Sequence, residues 1–392
     1  MLLPDGMFQK VSILFRVDGK VEVSISYQQR VCEDTCTSKK DLSYLTQMFL
    51  VVTFSTLFIT TTNACSNFAM QDSFGLSART EDMGPISFDF SLTANPATTS
   101  TLGFVALSAM KLGPNVAPLN ASQGIKAGLN TAGLSCDKQT LRPTEWMQVS
   151  IDTKTIVDGA LLCRWALENF HNVSSLKALL NTPSNPQRPV FIKPQHDNDF
   201  NDGHFAIRDA LGHGIVIEFQ NGKMNIYDDN NDDGLTGYGV MTNEPNYPWM
   251  IESMKTLLWK EAKYGPMVAM PGSWYPDARF QRLYLVKSKM PVPSNLQEAI
   301  AYCVAVLNTV TVPMGLQHGK DMKDPTDHRT QWASIYDHQR KTLYWRTDQN
   351  VNLARLQLSD VNLEIGDVQQ IMEVKTKKLG WFMDAAGVME NN

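Results

Sequence analysis

A cysteine preceded by small residues, with an arginine and an aspartate a short way downstream, carries the chemistry on offer in this sequence. Asn63-Ala64-Cys65-Ser66-Asn67-Phe68-Ala69-Met70 leads on to Arg79-Thr80-Glu81-Asp82. A cut after Ala64 would give Cys65 both a thiol and a free α-amine, placing nucleophile and general base in one residue. An unperturbed α-amine titrates near about 7.7–8.0, which suits a base at neutral pH. A cation such as Arg79 favours the thiolate, the species that attacks. Asp82 can hold the amine by a charge-assisted hydrogen bond. An oxyanion also needs a donor, and the neutral amide of Asn243, at a loop start in Met241-Thr242-Asn243-Glu244-Pro245, is of the right type. The plainer alternatives are a surface ion pair for Arg79 and Asp82, and a helix N-cap for Asn243.

Other chemistries find no starting point. The 7 histidines include no HExxH pair and no close Cys/His cluster, and Cys32 and Cys36 have no second pair, so no metal is expected. There is no G-x-S-x-G elbow, P-loop or G-x-G-x-x-G, and no cofactor is called for. A cysteine–histidine thiol hydrolase stays open, because a histidine can reach Cys65 in space from anywhere in the chain. A net charge of -5 gives no electrostatic reason to invoke nucleic acid. The 6 cysteines are too few and scattered for a disulfide framework, and the sequence alone does not pair them.

The apolar run Phe49–Ile59 ends in Thr60-Thr61-Thr62-Asn63-Ala64. It is short for a membrane span and suits the core of a signal peptide, with Thr62 and Ala64 at the small-residue positions of the cut. Residues 48–64 are therefore expected to be a leader ending at Ala64, which implies a secreted or extracytoplasmic protein with no membrane span in the mature chain. Residues 1–47 are then an extension or a mis-assigned start, since Met48 stands just before the run. The alternatives are a genuine N-terminal extension, or a lipoprotein signal whose acylation would block the thiol and amine of Cys65. The sequons at Asn120 and Asn172 are compatible with a secretory route.

Positioning these residues falls to a chain of 392 residues, 43% apolar and 19% charged, ample for a buried core. Cys65–Met70 and Leu76–Glu81, joined by a turn-rich link, predict a β-hairpin. With its turn centred between Ser73 and Phe74, Cys65 pairs with Asp82 and Phe68 with Arg79. Further strands are expected over 103–110, 133–142, 204–209, 214–220, 223–228, 330–337, 341–347 and 353–358. Helices are expected over 155–181, over 248–260, within 271–287 after its Pro-Gly opening, and over 295–310. Strands, then helices, then strands argue for a single α+β domain over 65–392, with antiparallel sheets covered by helices.

These residues resemble the choloylglycine hydrolase family: bile salt hydrolases, penicillin V acylases and related linear-amide hydrolases with an N-terminal nucleophile. Cys65 with Arg79-Thr-Glu-Asp82 resembles its catalytic cysteine and Arg-x-x-Asp hairpin. Gly128-Leu-Asn130-Thr-Ala-Gly133-Leu134 is similar to G-x-N-E-x-G-L, with Thr131 replacing glutamate. Thr242-Asn243-Glu244-Pro245 is similar to T-N-x-P. Pro271-Gly272 through Ala278-Arg279-Phe280 is similar to P-G-D…S-R-F, with Ser273 replacing aspartate. The resemblance implies a four-layer αββα sandwich of two antiparallel sheets flanked by helices, the Ntn-hydrolase fold. It implies catalytic roles for Cys65, Arg79, Asp82, Asn243 and Arg279, with Arg282 as a rival one turn along. By counting, it puts a second, backbone oxyanion donor near Thr140, and it makes Asn130 a turn residue. The expected partner is a small-molecule N-acyl amide, with a homo-oligomer by family analogy. A catalytically silent protein binding an acyl or sterol-like ligand, and a lipid-anchored envelope protein modified at Cys65, are the alternatives from other classes.

Overall fold

The computed structural model describes residues 65–380 apart from 71–72, 84–88, 112–123, 151–152, 195–201, 230–236, 315, 317–328 and 377. The expected leader, the stretch before it and the sequon at Asn120 lie outside the described residues. The strands are β1 (Ser66–Ala69), β2 (Leu76–Met83), β3 (Asp89–Asn95), β4 (Phe104–Lys111), β5 (Ile125–Asn130), β6 (Ser135–Gln139), β7 (Ile156–Asp158) and β8 (Val190–Ile192). They continue with β9 (His204–Arg208), β10 (Gly214–Gln220), β11 (Lys223–Asp228), β12 (Val240–Thr242), β13 (Arg329–Asp337), β14 (Thr342–Thr347), β15 (Ala354–Gln357) and β16 (Gln370–Glu373). The helices are α1 (Leu162–Asn169), α2 (Val173–Leu180), α3 (Tyr247–Tyr264), α4 (Pro266–Ala269), α5 (Pro276–Lys289) and α6 (Leu296–Asn308).

Two antiparallel sheets face each other. One is six-stranded in the order β12-β1-β2-β13-β14-β15, the other eight-stranded in the order β11-β10-β9-β6-β5-β4-β3-β16. Strand alternation sends successive side chains to opposite faces, and the apolar clusters follow that rule. Phe68, Ala78, Ala333 and Ile335 of the smaller sheet pack under α3, α5 and α6, against Met250, Phe280 and Val306. Cys136, Phe205, Ile207 and Ile215 of the larger sheet pack under Leu162, Leu167 and Leu176 of α1 and α2. Between the sheets, Leu107, Ala127 and Leu129 meet Trp332, Tyr336 and Trp345. Each large apolar side chain buried this way, such as Phe68 or Phe280, stabilises the fold by roughly 1.5–3 kcal/mol. The expected αββα sandwich is the observed one.

The differences from expectation are local. Residues 156–158 form a strand and 159–161 a short 3-10 helix before α1, where a helix was expected from 155. That strand pairs in parallel with β8, so a tertiary partner overrides the helical pattern. The N-cap of α3 is Asn246, whose side chain accepts from the Trp249 N–H, so Asn243 is not the cap. Asn130 is the turn residue the resemblance implies: its amide donates to Leu167 O and Phe170 O, and its Oδ1 accepts from the Ala132 and Leu134 N–H groups. Gly133 sits in that turn at φ +88, where an added Cβ would lie 2.4 Å from the His338 carbonyl, so no other residue fits.

Cys136 and Cys163, unpaired at the level of sequence, form a disulfide between β6 and α1. It closes a sequence separation of 27, which in the chain-entropy picture is worth roughly 3–4 kcal/mol. A Cys136→Ala/Cys163→Ala chain should therefore melt well below the parent in non-reducing thermal unfolding. Equal melting temperatures would show that packing alone joins these elements.

Candidate active site

The hairpin register decides which side chains meet. Ser66 pairs with Thr80, Asn67 with Arg79 and Phe68 with Ala78, so the turn centres on Ser73, half a residue from the expected place. Cys65 thus stands across from Glu81, not Asp82, and a one-residue slip exchanges faces. Cys65, Asn67, Arg79 and Glu81 look into the space between the sheets, while Ser66, Thr80 and Asp82 look towards α5. β2 is flanked on its other edge by β13, with Trp332 opposite Glu81.

On the inter-sheet side the Cys65 thiol is 3% exposed. It donates to Glu81 Oε2 at 3.7 Å and to the Asp82 carbonyl at 3.8 Å. Glu81 Oε2 also takes the Arg79 Nη2. Arg79 is fully buried; its Nη1 donates to Lys126 O at 2.5 Å and Lys138 O at 3.2 Å, and its guanidinium lies 4.8 Å from the Trp332 ring centroid. Asp137 stands 3.9 Å from Arg79 Nη1 and accepts from Asn67 Nδ2 at 2.7 Å and the Tyr336 hydroxyl at 2.7 Å. Burial works against the Arg79 charge, but Glu81 and Asp137 outweigh it and hold the group firmly cationic. With Cys65 bonded to Ala64 in the chain, burial pushes the thiol up to about 12; Glu81 adds to the rise and Arg79 opposes it. A thiol in this state is protonated at neutral pH and a poor nucleophile.

On the helix side, Arg279 reaches down from the first turn of α5. Its Nη1 donates to the Cys65 carbonyl and to Ser66 Oγ at 2.7 Å, its Nη2 to Asn243 Oδ1 at 3.0 Å, and its Nε to Trp274 O at 3.0 Å. Fixed through its oxygen, the Asn243 amide donates from Nδ2 to the Thr140 carbonyl at 2.9 Å. Asp82 accepts from Thr330 Oγ1 and from Thr80 Oγ1 at 3.2 Å, and Thr80 Oγ1 accepts from the Ser66 N–H at 3.1 Å. Burial pushes the Asp82 carboxyl up to about 7, against the pull of Arg279 and the two hydroxyls. Arg282 plays no part here: it braces Thr309 O, Pro271 O and Ser273 O and stacks near Trp274.

Cys65, Arg79, Asp82, Asn243, Arg279 and Thr140 are therefore linked around the head of β1. Missing from the sequence-based expectation were Glu81, Asp137, Ser66, Thr80 and Thr330. Alternation along β2 was the signal for Glu81, since residues 79 and 81 share a face. Among the described residues no His/Cys/Asp/Glu group could hold a metal ion, and no helix is long and apolar enough to cross a membrane.

Two facing antiparallel sheets between helix layers, with a thiol at the head of an inner strand and an amide fixed beside it, define an αββα hydrolase sandwich. The chain belongs to the linear amide C-N hydrolases, choloylglycine hydrolase family, whose model matches residues 117–374. That match includes Thr140, Asn243 and Arg279 and begins after Cys65, Arg79 and Asp82. The chain is 23% identical over 267 residues to a bile salt hydrolase/transferase of Clostridium perfringens (strain 13 / Type A), covering 64% of this chain and 77% of that protein. Its fold is that of a variant of conjugated bile acid hydrolase from Clostridium perfringens, with TM-score 0.64 at 19% identity over 82% of this chain and 100% of the other. It is likewise that of penicillin V acylase from Agrobacterium tumefaciens, with TM-score 0.58 at 21% identity over 79% and 91%.

Proposed function

We propose that this protein hydrolyses the linear amide bond of N-acyl small molecules, with Cys65 as its N-terminal nucleophile once the residues before it are removed. The observation that carries this reading is the fork of Arg279, which ties the Cys65 carbonyl, Ser66 Oγ and the Asn243 amide into one buried unit. In this mechanism the freed α-amine takes the thiol proton, and the thiolate attacks the amide carbon. The oxygen that gains the negative charge is met by Asn243 Nδ2, whose amide carries a second N–H beside the one given to the Thr140 carbonyl, and by a backbone N–H near Thr140. Collapse breaks the C–N bond; the α-ammonium returns its proton to the leaving amine. Water then adds to the thioester with the amine as base, releasing the acid and the thiol. Arg79 and Asp82 set the charge around the nucleophile, and no cofactor enters.

The acyl group of the substrate is of the bile salt, penicillin V or N-acyl amino acid type. A secreted or extracytoplasmic home accords with the Cys136–Cys163 disulfide, since such bonds persist in oxidising compartments. Intact mass and N-terminal sequencing of the protein from its natural host, followed by a panel of N-acyl substrates, test the reading. A mature chain starting at Cys65 with a free amine and turnover of one panel member is the expected result. An active protein that retains residues before Cys65, or an acylated cysteine, would overturn it. Asn243→Ala should lower kcat by about 10²–10³ with little change in KM, as loss of one oxyanion donor does. A loss below about tenfold would move the oxyanion site elsewhere.

A further inference from the structure

Glu81 lies outside the roles assigned above, yet it touches both members of the pair those roles depend on. One oxygen, Oε2, receives the Cys65 thiol at 3.7 Å and also the Arg79 guanidinium. Its other oxygen stands 4.0 Å from Lys126 Nζ, and the residue is 1% exposed. We propose that Glu81 is a positioning residue that governs when Cys65 becomes a nucleophile, by holding the Arg79 guanidinium and the protonated thiol through a single carboxylate oxygen.

The physical argument is one of competition. Arg79 alone beside a buried thiol would draw the proton off it. Glu81 neutralises that arginine from the adjacent position on the same face of β2, and it offers the S–H an acceptor that a thiolate cannot use. The proton is therefore favoured twice: by the hydrogen bond it makes, and by the negative charge that would stand beside S⁻. The remaining charges around Glu81 divide by element. Arg79 and Asp82 come from its own strand, Lys126 from β5, Asp137 and Lys138 from β6, and Arg279 from α5 through Asp82. Lys126 offsets Glu81 directly, so the two side chains form a balance with the thiol at its pivot. Freeing the α-amine of Cys65 adds a base next to the thiol, and the ammonium it becomes on taking the thiol proton tips that balance towards S⁻. In the same step Glu81 stabilises the ammonium form of the amine, which is the form that protonates the leaving group. This carboxylate thus keeps the unprocessed chain quiet and, in the processed one, favours the protonated amine over the neutral one.

The inference rests on the reading of Cys65 as the nucleophile. Its test titrates the thiol itself, so its failure is distinct from failure to find an amide substrate. The rate of alkylation of Cys65 by iodoacetamide is measured against pH on the full chain and on the processed chain, with the modified residue identified by peptide mass. Glu81→Gln keeps an acceptor for Arg79 and removes the charge; it should move the inflection down by about one to three pH units. Glu81→Asp keeps the charge and should leave the inflection within about half a unit of the parent. Lys126→Met removes the opposing cation and should move the inflection of the processed chain upward; this arm stands if Glu81→Gln fails to fold. Where a hydrolysable amide is in hand, the acid limb of kcat/KM should shift with the alkylation profile. An unmoved inflection in folded Glu81→Gln, or a downward move in Lys126→Met, would reduce Glu81 to a structural partner of Arg79.

Discussion

Cys65→Ala should yield a folded protein without measurable amide turnover, a loss of about 10⁴-fold or more in kcat, as removal of a covalent nucleophile gives elsewhere. The substitution deletes one atom, Sγ, whose partners are Glu81 Oε2 and the Asp82 carbonyl at 3.7 and 3.8 Å. Both are long, weak contacts, and the backbone bond from Arg279 to the Cys65 carbonyl survives. The fold therefore loses little while the proposed chemistry loses its attacking atom. Thermal unfolding and steady-state rates on the same preparation separate these effects. A Cys65→Ala chain that retains more than about a hundredth of the parent rate would remove Cys65 from the mechanism, because oxyanion contacts and binding leave a far smaller remainder.

Arg279→Met carries the second large effect, and it falls on stability and activity together. The guanidinium is fully buried and donates to four acceptors: Cys65 O, Ser66 Oγ, Asn243 Oδ1 and Trp274 O. Methionine fills much of the volume but leaves these acceptors unpaired, and it strips Asp82 of the cation that stabilises its charged form. Removing one partner of a buried charge cluster costs about 3–5 kcal/mol, visible as a lower urea midpoint. The Asn243 amide would also lose the bond that orients it. A displacement near 1 Å there costs on the order of 10²-fold in kcat, with substrate binding less affected. Arg279→Lys should recover part of the stability and little of the rate, since an ammonium has three N–H donors for four acceptors and cannot reproduce the guanidinium fork. Parent-like kcat in Arg279→Lys would show that charge, not the fork, is what the site needs.

Much of this architecture was legible in the residues. The alternating runs of β9, β10 and β11 stand within a residue of their expected limits, because each is long enough for a two-residue period to show. β8, β12 and β16 are three or four residues long, too short for a period, and exist because neighbouring strands offer them an edge. The six expected site residues do converge, carried by motif order and not by local pattern. What stayed hidden was set by register and by distance in space. A half-residue shift in the hairpin turn exchanged Asp82 for Glu81 opposite Cys65, and no propensity encodes that shift. Cys136 and Cys163 likewise meet only after β6 has found its place beneath α1.

The strand order of the smaller sheet also says when the site can exist. β2 lies between β1, its immediate neighbour in sequence, and β13, which begins at Arg329. Until that distant strand arrives, Arg79 lacks Trp332 above it, and β2 presents a bare edge to any other chain. Such long-range pairings close slowly. During synthesis β1 and β2 leave the ribosome first and must wait for β13. Folding of this protein should therefore be slow and sensitive to loss of β13, with the surroundings of Cys65 and Arg79 among the last parts to acquire native order.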